Sequence, residues 1–122
     1  MMTIVTHVHL KQGAGDDWDA VMRTRLSAAR KASGWIGGQL LRPADKPDRR
    51  VIVGTWRTRA NWEAWHHDPK FTGTRQRLDG LCAAIRRTLT AVLGNTWAGM
   101  ASASPVRIVS GNEPGVPGSH SF

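Results

Sequence analysis

The sequence predicts an α+β fold of the ferredoxin-like type, a β-α-β-β-α-β unit in a single domain. Three observations point to it. Thr3 to Leu10 alternates strictly, with Ile4, Thr6, Val8 and Leu10 on one face and Thr3, Val5, His7 and His9 on the other, the period-two signature of a strand. A helical stripe of Trp18, Val21, Met22, Arg25, Leu26 and Ala29 follows at three- and four-residue spacing. Two further strand-like runs flank a polar turn and lead into a second helical stretch, which gives the split order of the ferredoxin-like arrangement once a fourth strand is supplied.

Taken in order, the first strand ends in the glycine-rich turn Lys11 to Gly15. Asp16 is the expected N-cap of the first helix, with Asp17 and Asp19 in its first turn, where carboxylates suit the helix dipole. That helix is predicted to run to about Ala32, with basic residues in its last turn and Gly34 ending it. The second strand spans Trp35 to Arg42, because Pro43 lacks the N–H that a central strand residue must donate. After the turn Ala44 to Arg49, Arg50 to Trp56 forms the third strand, antiparallel to the second. Thr58 caps a short helix over Arg59 to His67, and Asp68-Pro69 restarts helical structure that continues to about Leu81. Residues 83–93 are ambiguous by periodicity; the β-branched content of Thr88 to Val92 and the sheet's open edge favour a fourth strand near Arg87 to Leu93. The domain is placed at residues 1–97. Residues 98–122 read as a Gly/Ser/Pro-rich C-terminal extension in which only Val106 to Val109 could form a strand.

A chain of 122 residues can bury roughly two thirds of its unfolded surface. No run approaches the ~18 apolar residues of a membrane span. The first residues carry no basic region before an apolar one, so no export signal is read, and Cys82 is the single cysteine. The expected localisation is cytoplasmic, with no membrane partner. Thirteen arginines and four lysines give a net charge of +8, a field that attracts anions. These cations form scattered pairs, and no nucleic-acid-binding motif accompanies them, so nucleic acid is not the expected partner.

Four of the six tryptophans, and the one adjacent histidine pair, fall between Gly34 and Phe71. Trp62, Trp65 and His66 share a helix face by spacing, which is also the spacing of a helix that simply packs its aromatic side on the sheet. His66 and His67 lie on different faces and cannot chelate one metal as an i, i+4 pair does, so no metal site is expected.

The runs GWIGGQLLRP, VIVGTW and EAWHHDP, in this order and spacing, resemble the antibiotic biosynthesis monooxygenase family, including its branch of mycobacterial haem-degrading enzymes. The resemblance covers about Thr3 to Leu78 and implies a dimeric α+β barrel with one pocket per subunit between sheet and helices. In the haem-degrading branch it implies an asparagine, a tryptophan and an iron-ligating histidine. Those positions hold Thr6, Trp65 and Thr74 here, and neither Thr74 nor its neighbour Arg75 can ligate iron. The other branch oxidises phenols of polyketide type with dioxygen alone, asking of the protein a dry aromatic pocket, orientation and a proton acceptor. This chain has no tyrosine for that proton transfer, which leaves histidine.

The leading expectation is therefore a homodimeric, cofactor-independent monooxygenase for an aromatic, polyketide-phenol or quinol-type molecule and dioxygen. His66 is the expected base, and Thr6, Trp56, Trp62 and Trp65 the substrate-binding residues. A haem-binding or haem-degrading relative and a non-catalytic dimeric ligand-binding module are the alternatives.

Overall fold

A computed structural model describes residues 1–94; the proposed extension, the domain boundary at 97/98 and the candidate strand at 106–109 lie outside the described residues. Strand β1 (Met2–Leu10) is central in a four-stranded antiparallel sheet of order β2-β3-β1-β4, with β2 at Trp35–Leu41, β3 at Arg49–Trp56 and β4 at Cys82–Ala91. Helices α1 (Gly15–Ala29), α2 (Arg59–His66) and α3 (Thr72–Gly80) complete the β-α-β-β-α-β order, with a 3-10 turn at Pro69–Phe71 between the last two.

The alternation in β1 does what it predicts. Ile4, Thr6, Val8 and Leu10 are all buried, and their neighbours are only partly so. Two apolar clusters fill the space between sheet and helices. One joins Val8, Leu10 and Ile52 to Trp18, Val21 and Met22 of α1 and Leu78 of α3. The other joins Ile4 and Trp56 to Ala29 of α1 and Trp62 of α2. The fully buried Trp18 locks α1 to the sheet. Arg50 on β3 adds a second tie, its Nε donating to Asp19 Oδ1 of α1 at 2.7 Å.

Several boundaries differ from those the sequence predicts. α1 begins one residue before Asp16, and its N-cap is Ala14, with no side-chain cap; Asp16 and Asp17 sit inside the first turn, where they still meet the positive end of the dipole. The helix stops at Ala29 with Arg30 as C-cap, so no basic residue lies in its last turn and Gly34 is not its cap. Gly34 instead turns the chain into β2 at φ +87°, a conformation glycine adopts without cost. β4 starts at Cys82, five residues earlier than Arg87, because pairing with β1 from Leu10↔Cys82 to Met2↔Ala91 outweighs the weak strand preference of Ala83 and Ala84. Thr58 does cap α2, accepting from the Asn61 N–H at 3.1 Å.

Candidate active site

A pocket opens on the helix side of the sheet, and strand register explains its composition. Thr6 pairs with Ile52 on one side and Arg87 on the other, so these three side chains share a face of the sheet. Ile4 is flanked in the same way by Gly54 and Leu89. Gly54 in turn pairs with Gly38 across β2 and β3. A Cβ on Gly38 would meet the Trp35 ring at 2.6 Å, so the absent side chain is what lets that indole lie over the strand. The β2–β3 register shifts between Trp35 and Gly37, and Trp35 lines the pocket.

On this floor the aromatic rings assemble. Trp35 meets Trp56 edge-on, with centroids 5.2 Å apart, and Trp56 meets Trp65 of α2 at 5.3 Å. One turn along α2, Trp62 stacks on His66 at 4.9 Å. Thr58 caps the helix that carries these residues, and Trp62 and His66 are its two buried positions. Two guanidinium groups enter the same wall. Arg25 of α1, 1% exposed, lies 4.1 Å above the Trp65 ring, and Arg87 of β4 lies 5.6 Å from the Trp62 ring. Arg75 of α3 donates from Nη1 to the His66 carbonyl at 2.8 Å.

Thr6, Trp56, Trp62, Trp65 and His66, the five site residues expected from the sequence, all line this one pocket. Arg25, Arg87 and Trp35 line it too. For Arg25 a signal existed, since a basic residue inside an apolar helical stripe must face the core. For Arg87 none did, because its place opposite Thr6 depends on the β4 register. Thr74, by contrast, is not among the lining residues.

Electrostatically the pocket is one-sided. Burial, then Arg87, Arg25, His67 and Arg75, push the His66 imidazole from 6.5 down to about 3, so it is neutral at neutral pH. Burial also lowers Arg25 and Arg87 to about 10, with Asp79 opposing the shift in each, and both remain cations. Cys82 is pushed up to about 12, first by burial, and stays a thiol. A neutral imidazole can accept a hydrogen bond from a substrate hydroxyl, while the guanidinium groups favour negative charge beside it. The cavity volume is about 40 Å³, well below the ~300 Å³ of ordinary ligand pockets, so a substrate must displace side chains to enter.

Residues 1–77 match the model of the family described as antibiotic biosynthesis monooxygenase. The chain belongs to that family. Among solved structures, a cofactor-independent oxygenase from Streptomyces nogalater, SnoaB, superposes with a TM-score of 0.71 at 19% identity, over 77% of this chain and 94% of its own. The Mycobacterium tuberculosis protein Rv0793 gives a TM-score of 0.70 at 17% identity, over 77% and 96%. At such identities these likenesses establish the shared fold. A curated relative, the mycobilin-producing heme oxygenase of Mycobacterium tuberculosis, is 28% identical over 65 residues, 53% of this chain; the match spans 62% of that protein's length.

Haem is the cofactor that this relative's name implies. The resemblance sets Thr74 at the place of the iron ligand, and Thr74 does not line the pocket; the one imidazole lining it among the described residues, His66, is stacked on Trp62. Among the described residues, no three His, Cys, Asp or Glu side chains are grouped to hold a metal ion. These residues do not fit haem in the family manner. No described helix is long and apolar enough to cross a membrane.

Proposed function

We propose that this family member oxygenates an electron-rich aromatic small molecule, of polyketide-phenol or quinol type, with dioxygen and without bound metal or flavin. The observation that carries the reading is the convergence of Trp56, Trp62 and Trp65 with Thr6 and His66 around one pocket that, among the described residues, no carboxylate lines. SnoaB, which shares the fold, is a cofactor-independent oxygenase, and that supports the reading.

The substrate itself is the reductant. Once its acidic proton leaves, the anion is electron-rich enough to pass an electron to dioxygen, and recombination forms a C–O bond. In an anthrone-type CH₂ group, conversion to C=O supplies all four electrons that dioxygen takes up; one oxygen atom stays in the product and the other departs as water. The protein packs the ring against the Trp65 indole, which Trp56 backs, donates a hydrogen bond from Thr6 to the substrate oxygen, and accepts the proton at His66. The arginine field lowers the pKa of substrate and imidazole together. Burial, the largest influence on His66, opposes charging either partner, so the field acts mainly by favouring escape of the proton to water, which leaves the anion behind.

Oxygen uptake by chelator-treated protein, with an anthrone as substrate, tests this directly. Uptake should fall roughly tenfold or more in Trp65→Ala and by about 10² in His66→Ala. Unchanged uptake in His66→Ala would remove it as the acceptor.

The resemblance to a heme oxygenase keeps a haem reading testable. Equimolar haem should leave the broad spectrum of unbound haem unaltered. A sharp, shifted Soret band would move the function to haem.

A further inference from the structure

We propose that the groove between α1 and the edge strand β2 is the outer half of the substrate site, where Arg23, Arg30 and Arg42 bind a carboxylate or phosphate arm carried by the aromatic ring. The inference rests on the neighbouring pocket being the substrate site, and it adds the shape and charge of the rest of the substrate.

Size and position point there first. The inner pocket offers about 40 Å³, too little for an aromatic ring, whereas the groove beside it offers about 690 Å³, the size of an ordinary ligand site. Leu26 and Trp35, both half-buried, line both spaces and so form the wall between them. The Trp35 ring lies over two glycines, Gly38 and Gly54, and meets Trp56 edge-on at 5.2 Å. A shift of this indole toward the groove uncovers a floor that carries no side chains, directly beside Trp56. An aromatic ring entering from the groove takes that place and reaches the inner tryptophans.

The charge of the groove then decides what the ring carries. Arg23, Ser27 and Arg30 follow one another at four- and three-residue spacing, so they line the groove from one side of α1 and its C-cap. Arg42 comes from the opposite wall, just past the end of β2, where the Leu41↔Val51 pairing brings it beside Arg50. Asp19 is the one carboxylate lining the groove among the described residues, and Arg50 already holds it through bonds of 2.7 and 3.1 Å. Arg23, Arg30 and Arg42 are exposed and form no ion pair among the described residues. Their long side chains can close on a carboxylate or phosphate with paired, charge-assisted hydrogen bonds. Between Trp35 and Arg42, Leu40 and Leu41 also line the groove, an apolar stretch suited to the methylenes of an arm.

Calorimetric titration of the whole protein with naphthylbutyrate, naphthylbutyl phosphate and the neutral naphthylbutyramide reads the arm's contribution without any turnover. At least one anionic probe should bind about tenfold more tightly than the amide, and the tighter of the two assigns the arm as carboxylate or phosphate. Arg23→Gln, Arg30→Gln and Arg42→Gln, all at exposed positions, should each cut that preference about twofold to fivefold, and the triple variant should bring it toward one. Indole N–H resonances, assigned through Trp35→Phe and Trp65→Phe, report where the ring sits, and both should shift on binding. A preference that survives in the triple variant overturns the assignment to these arginines. Equal affinity for anionic and neutral probes, with the Trp65 resonance shifted, overturns the anionic arm while leaving the inner pocket as the substrate site. Arginine-dependent binding that leaves Trp65 unshifted makes the groove a separate anion site and overturns its continuity with the pocket. Binding of none of the three probes overturns both.

Discussion

His66 shows most plainly how a residue's setting changes its chemistry. Its ordinary pKa of 6.5 suggests a base poised near neutrality, yet burial beside four positive or ionisable neighbours takes it to about 3. The folded pKa lies below the unfolded one, so between pH 6.5 and 3 the unfolded chain binds a proton that the folded chain refuses. The stability associated with a neutral His66 is fully present above 6.5 and is lost as pH falls through that window, at a slope of up to about 1.4 kcal/mol per pH unit. Denaturant titrations of wild type and His66→Gln across this range should diverge steadily toward acid, with the wild type losing more. Parallel curves would mean that the imidazole is not held neutral. Sequence alone identified this histidine and the tryptophans around it, because helical spacing reports which side chains share a face. It marked Arg25 only as a basic residue in the apolar stripe of α1 and gave no sign of Arg87; that both act on the imidazole depends on packing between different elements.

Among elements, the pairings between neighbours in sequence were legible, and the ends decided by distant partners were not. The β2–β3 hairpin is bounded by Pro43 and by the polar turn before Arg49, and both are local signals. β4 begins at Cys82 because β1 offers it a partner from Leu10 onward, a fact nothing within residues 82–87 announces. Asp19 is a related case. Its position in the first turns of α1 suggests only a dipole effect, whereas its carboxylate holds Arg50, a side chain 4% exposed whose remaining hydrogen bonds go to the carbonyls of Pro47 and Arg49. Removing one partner of a buried pair strands the other charge. Asp19→Ala should therefore destabilise the protein by about 3 kcal/mol in chemical denaturation. A loss under about 1 kcal/mol, the range of exposed pairs, would show that the α1–β3 tie is only a surface contact.

For the whole molecule, the family fold and the +8 charge place the pocket in context. The dimeric barrel implied by the resemblance is a proposal here. Solution scattering should return the mass of two chains, and a one-chain mass at micromolar concentration would contradict the pairing. The excess of positive charge attracts anions at long range, so the encounter rate of an anionic substrate should fall with added salt. The fate of the two oxygen atoms of dioxygen defines the reaction. Mass spectrometry of an anthrone turnover under ¹⁸O₂, with chelator-treated protein, tests it most directly: one labelled atom should appear in the quinone product and the other in water, whereas product carrying no label, or formed equally without the protein, would contradict it.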